Sequence, residues 1–135
     1  MWDRNKLISA QELQGEITPK TVDFAEEFGK YLADKTEPGW KALTTSQLRK
    51  FFGEVKRQQL MGYNSASFVM LKPKLAYAVG RAKQNSSGKL KIEDFNRVIA
   101  DAIDKVEQAP DKKKAFKNFI QVFEAIVAYH KANEK

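Results

Sequence analysis

Arg49, Lys50, Lys56 and Arg57 are spaced so that a helix gathers all four cations on one arc, with Ser46 among them and Gly53 at its centre. Such a face offers no bond-making chemistry. It offers the holding of a polyanion, because a glycine lets a backbone come close while flanking side chains reach phosphates. Glu54 is the one residue near that arc with the opposite sign. Further on, Lys74, Tyr77 and Arg81 recur at spacings of three and four, so all three project the same way, with a tyrosine between two cations. Lys72 and Lys83 lie on the opposite shoulder of that stretch. Either cluster alone is equally a solvated basic face that keeps a helix soluble. Two helices of one design, packed side by side, make a groove or ridge of positive charge, and this favours nucleic acid.

Groups that catalyse are scarce. Without cysteine there is no disulfide, thiolate zinc site or cysteine nucleophile, which fits a reducing cytosol. His130 is the single histidine, on the arc of Phe119, Phe123 and Ile126, where a packing role is the commoner one. Metal-independent RNA cleavage usually needs a second acid–base partner, and there is no second histidine. No Walker loop and no serine-nucleophile motif occurs, and the acids lie on ordinary amphipathic helix faces. The expectation is a binding protein with no catalytic residue, metal or cofactor.

Five helices must position these residues. The basic arc belongs to a helix from about Thr45 to Gln59 or Leu60, opened by a Thr44–Gln47 capping box and a Leu43–Leu48 staple. Leu48, Phe51, Phe52, Val55 and Gln59 form its inward arc. Before it, Thr18-Pro19 starts a helix running to about Asp34, with Val22, Ala25, Phe28 and Leu32 on one face and Asp23, Glu26 and Glu27 on the other. A short helix within Asn5–Gln14, ended by Gly15, is a possible addition. After the loop at Met61–Ser65 comes a helix with Phe68, Leu71, Leu75, Val79 and Ala82 inward. Pro73 sits in its first turn or kinks it. Gln84–Gly88 reads as a polar break, with Lys83, Lys89 and Lys91 around it able to touch phosphate. The next helix, about Ile92 to Gln108, has an acidic outer face (Glu93, Asp94, Asp101, Asp104, Glu107) expected to point away from nucleic acid. The last begins at Asp111 and reaches about Ala132, with Lys112, Lys113, Lys114 and Lys117 in its first turns. Trp40, beside the basic helix, either stacks on a base or packs; packing is commoner for tryptophan. No stretch alternates with period two as a strand does. The fold class is all-α: a compact antiparallel bundle of about five helices.

At 135 residues and 42% hydrophobic the chain is one folded domain. It has neither an apolar signal segment nor a run long enough to span a membrane. Its net charge of +7 is unevenly spread. Residues 1–40 carry −3, residues 41–91 carry +10 with Glu54 as the lone acid, and residues 92–135 are neutral. One basic middle third in a balanced protein points to a localised anionic partner.

Three segments resemble a known family. Leu43–Phe52 (LTTSQLRKFF) resembles the L-T-T-S-x-L-R opening of the small subunit of type III-A (Csm) CRISPR effector complexes. Leu71–Arg81 (LKPKLAYAVGR) is similar to that family's L-K-P-K-L-A-Y-x-x-G-R signature, and Phe119–Lys131 to its C-terminal F-E-A-(I/L)-V-A-Y helix. They stand in family order from Leu43 to Lys131; residues 1–40 carry no matching motif and read as a variable end. The resemblance implies a small all-α, non-catalytic, cytoplasmic subunit that takes no small-molecule substrate. Several copies stack beside the effector's backbone and large subunits and hold the guide RNA–target RNA duplex in antiviral defence. Carried onto this chain, it assigns RNA contact to Thr45, Ser46, Arg49, Lys50, Lys56 and Arg57 in the first motif, and to Lys72, Lys74, Tyr77 and Arg81 in the second. Base pairing supplies sequence recognition, so these contacts need read only shape and charge. Two other readings stay open: a free-standing helical nucleic-acid-binding protein, and a helical adaptor whose basic face meets an acidic protein.

Overall fold

In the computed structural model, which describes residues 2–134, helices account for nearly all regular structure. In chain order they are α1 (Ala10–Gln14), α2 (Pro19–Ala33), α3 (Thr45–Met61), α4 (Ser65–Val69), α5 (Leu71–Asn85), α6 (Lys91–Glu107) and α7 (Lys112–Asn133). Five are long, and α1 and α4 are single turns. The expected all-α bundle is therefore present.

Local signals fix most boundaries. Ser9 accepts from the Glu12 amide, which starts α1 well inside the stretch expected for it. Proline at the first position opens α2, and the Thr18 amide donates to Thr21 Oγ1 at 3.1 Å. Thr44 and Gln47 cap α3 reciprocally, at 3.1 Å and 2.9 Å. Gly62, at φ +89°, ends it in a conformation that favours glycine. Asn64 caps α4 through the Ser67 amide. The chain then breaks at Met70 and restarts, so that Pro73 falls in the first turn of α5, where a missing N–H costs nothing. The kinked-helix alternative is not what forms. Two corrections concern regular structure. A two-residue parallel bridge, β1 (Trp40–Lys41) with β2 (Lys89–Leu90), ties two loops together where no strand was expected. Gln84 and Asn85, expected in a loop, complete the last turn of α5.

Helix α7 is the spine. Its Phe119 and Phe123 are buried, and Phe68 packs edge-on against Phe119 at 5.0 Å and against Phe116 at 5.2 Å. Phe95 of α6 meets Phe123 at 5.9 Å and Phe51 of α3 at 6.1 Å. Helix α2 lies along α7, and the closest approach is at Gly29. A Cβ there would come within 2.7 Å of Tyr129 Cβ, 2.8 Å of the His130 amide and 2.9 Å of the Ile126 carbonyl. His130 is a core residue as expected: it is fully buried, and its Nε2 lies 2.7 Å from the Leu43 carbonyl. A carbonyl only accepts, so Nε2 carries the proton and donates, fixing the residue just before the cap of α3.

The segment before α1 is tied down by a polar cluster. Trp2 stacks on Phe28 and Tyr31, with centroids 4.7 Å and 4.8 Å away. Arg4 pairs with Glu37 and donates to the Tyr31 hydroxyl. The Tyr31 hydroxyl donates to buried Asp94, and burial together with that bond pushes the phenol well above its ordinary range. Among the described residues no helix is long and apolar enough to cross a membrane, and no group of His, Cys, Asp or Glu is arranged to hold a metal ion.

Candidate nucleic-acid interface

Helices α3 and α5 present the ten residues in question. Their apolar sides are held by different partners: α3 packs on α7, and α5 on α6. The expected direct packing of one basic helix on the other is thus replaced by side-chain links. Lys74 of α5 lies 3.5 Å from the Glu54 carboxylate of α3. Gln58 of α3 donates to the Ser67 carbonyl of α4, the turn that leads into α5, at 3.0 Å. Gln58, not Gln59, is the glutamine on the buried arc; Gln59 is exposed.

Glu54 is the hub between the helices. Arg57 grips it with two bonds, Nε at 3.1 Å and Nη2 at 2.8 Å, and Gln58 adds a longer one. The Arg57 bonds come first in holding the Glu54 carboxyl down at about 2, against some desolvation, and Lys74 adds to them. The same pairing raises the Arg57 guanidinium. The lone acid of the basic third therefore stays ionised and offsets part of two cations.

The remaining candidates divide by what they touch. Ser46, Arg49 and Lys50 are exposed and make no ion pair or side-chain hydrogen bond among the described residues. Arg81 is exposed, with its guanidinium 5.9 Å from the centre of the Tyr77 ring, and Tyr77 is 67% exposed. Lys56 pairs with Glu124 of α7 at 3.3 Å and Lys72 with Asp104 of α6 at 2.7 Å. The Thr45 hydroxyl oxygen is covered and has no hydrogen-bond partner. Uncompensated positive charge thus concentrates at Arg49, Lys50 and Arg81, with Lys74 shared.

Both helices carry an exposed glycine in mid-course. A Cβ built on Gly53 or on Gly80 would meet nothing within 4 Å. Neither glycine is there for internal packing, and each costs helix stability of roughly 0.5–1 kcal/mol relative to alanine. Gly53 was read from the arc of cations around it. The opening beside Gly80 was missed, although a glycine between Tyr77, Arg81 and Gln84 at helical spacing was its signal.

Two further expectations change. The acids of α6 form an outward face only in part: Asp94 is buried, while Glu93 and Asp104 stay exposed and Asp101 and Glu107 are half-buried. Glu93 and Asp104 take Lys83 and Lys72 from α5, Asp94 is buried against Tyr31 and Arg97, and Glu107 accepts from Tyr63 and Ser65. They neutralise the shoulder of α5 that packs toward them. Lys91 is not available to phosphate: it is 0% exposed, and its Nζ reaches the Tyr31 and Asp34 carbonyls at 2.9 Å and 3.0 Å and Glu37 at 3.1 Å. Trp40 is half-buried and packs within the chain, with the Arg4 guanidinium 4.1 Å from its ring centre and Lys89 Nζ at 5.4 Å.

The family model described as Csm2 Type III-A matches residues 16–135. The match takes in α2 as well as the three segments from Leu43 onward. No curated protein and no solved structure matches the chain.

Proposed function

Because this chain belongs to the Csm2 family of type III-A systems and so is a small subunit of a CRISPR effector complex, we propose that its α3–α5 surface holds the guide RNA–target RNA duplex through phosphates. In this reading it has no active site of its own. Several copies stack along the effector, beside the backbone and large subunits, in the cytoplasm and in antiviral defence. The observation that supports the proposal is the set of free cations on two linked helices. Among the described residues Arg49, Lys50 and Arg81 make no ion pair, Gly53 faces open space, and the Lys74–Glu54 contact joins the two helices. A phosphodiester backbone can approach Gly53 closely, while Ser46, Arg49 and Lys50 donate from the side. Lys56, Arg57 and Lys72 join only by exchanging Glu124, Glu54 and Asp104 for phosphate. Nothing in such contacts reads base identity; pairing with the guide does that.

The test is anisotropy binding of labelled mixed-sequence RNA duplexes over a salt series, for wild type and for a variant with Arg49, Lys50, Lys74 and Arg81 changed to Ala. The expected log–log salt slope for wild type is roughly −3, for about four neutralised phosphates. The variant is expected to lose most of the affinity on every sequence. Equal binding by both proteins, or none at low salt, overturns the reading and favours an adaptor that meets an acidic protein. A strong preference for one sequence favours a free-standing nucleic-acid-binding protein.

A further inference from the structure

Tyr77, Gly80, Arg81, Gln84 and Asn85 line an open cavity of about 370 Å³ on the outer face of α5. Its volume lies at the small end of the range for ligand-sized clefts. The floor is Gly80, over which a Cβ would meet open space. One wall is the Tyr77 ring, mostly exposed, with the Arg81 guanidinium near it. The far end carries the Gln84 and Asn85 amides, both exposed, and neither amide makes a side-chain hydrogen bond among the described residues. The inventory is specific in kind. An aromatic face and a guanidinium plane are what a planar π-system stacks on. Two amides supply donors and acceptors for the polar edge of such a system. A phosphate alone needs no aromatic wall, and an apolar peptide side chain needs no amides.

We infer that this cavity receives a single unpaired nucleobase, stacked on Tyr77 above Gly80 with its edge toward Gln84 and Asn85, while Arg81 holds the adjoining phosphate. The inference rests on the duplex-binding reading above and deepens it. The duplex backbone lies along α3 and the Lys74 end of α5, and the base site opens one to two turns further along the same helix. An unpaired base is the form of nucleobase that such a site can take, since its faces and edges are exposed only outside a duplex. The site therefore recognises an irregularity in the duplex rather than a sequence. The role of Gly80 follows as well: any side chain there would occupy the volume of the base, which gives a mid-helix glycine a reason to be kept despite its cost.

The experiment compares the full chain binding two labelled RNA duplexes, one fully paired and one with a single 2-aminopurine bulge. Wild type should bind the bulged duplex about tenfold more tightly, within the range for stacking one base on an aromatic side chain, with the fluorophore quenched on binding. Gly80→Leu fills the cavity at a site with room for the side chain, and Tyr77→Ala removes the stacking wall. Each should lose the preference, so that its affinities for the two duplexes become equal, and neither should quench the probe. If wild type binds both duplexes equally, or if Gly80→Leu keeps the preference, the base site is wrong while the duplex-binding reading stands. If wild type binds neither duplex, both fall.

Discussion

At the scale of single residues, Glu54 governs how much of the basic face is free to bind. It is the one acid among residues 41–91, and it engages both Arg57 and Lys74. Changing Glu54 to Gln removes the charge but keeps the shape. The expected outcome is several-fold tighter duplex binding near 0.05 M salt and a salt slope steeper by about one unit, read in the same anisotropy assay. Unchanged affinity and slope would mean that RNA does not meet this part of the face. The carboxyl also links stability to acid. Its folded value of about 2 lies below the ordinary glutamate value near ~4.3. The stabilisation is therefore complete above pH ~4.3 and lost as pH falls toward 2. Thermal melts across that window should show wild type losing stability more steeply than Glu54→Gln, and parallel curves would count against the pairing. The residue was legible in the sequence as the odd charge on its arc. That it bridges two helices was not, because a wheel describes one helix and carries no distance to another.

At the scale of elements, three interior glycines are used in opposite ways. Gly29 in α2 is a contact with no room to spare, while Gly53 in α3 and Gly80 in α5 face open space. Gly29→Ala should destabilise the protein by about 1–3 kcal/mol through overpacking against the backbone of α7. Gly53→Ala should raise stability by about 0.5–1 kcal/mol while weakening duplex binding. Denaturant midpoints measured beside binding separate the two effects; a Gly53→Ala protein that binds RNA undiminished would remove the close-approach argument. Much of this scale could be read from the sequence. The capping box at Thr44, the proline at position 19 and the apolar stripes of α6 and α7 are local signals, and local signals survive folding. What escaped depends on partners distant in sequence. Lys91 is a phosphate candidate until Tyr31, Asp34 and Glu37 are seen to enclose it. Asp94 belongs to the outer face only until α2 is in place, and Asp104, though still exposed, is drawn to Lys72 of α5.

At the scale of the whole molecule, the charge asymmetry turns into a division of labour. The cations of residues 41–91 divide into those paired to acids of α6 and α7, such as Lys72, Lys56 and Lys83, those held by Glu54 or enclosed, as Arg57, Lys74 and Lys91 are, and those left facing solvent, such as Arg49, Lys50 and Arg81. Their sum was legible from composition, but which of them remain available was not. The long seam between α2 and α7 carries a consequence for how the chain is made. Helix α2, whose Phe24, Phe28 and Leu32 are buried, packs chiefly along α7, a helix made much later in the chain. While a ribosome is still translating residues 112–133, that greasy stripe has no lid. Its first long helix must then wait for the turns of α7 to emerge. Ribosomes arrested before α7 is released should carry chains that a protease cuts readily near Phe24–Leu32, whereas released chains resist. Equal resistance in both would show that the first helices find shelter without the last. For this protein, the emergence of α7 is also the moment at which holdase chaperones lose their claim on it.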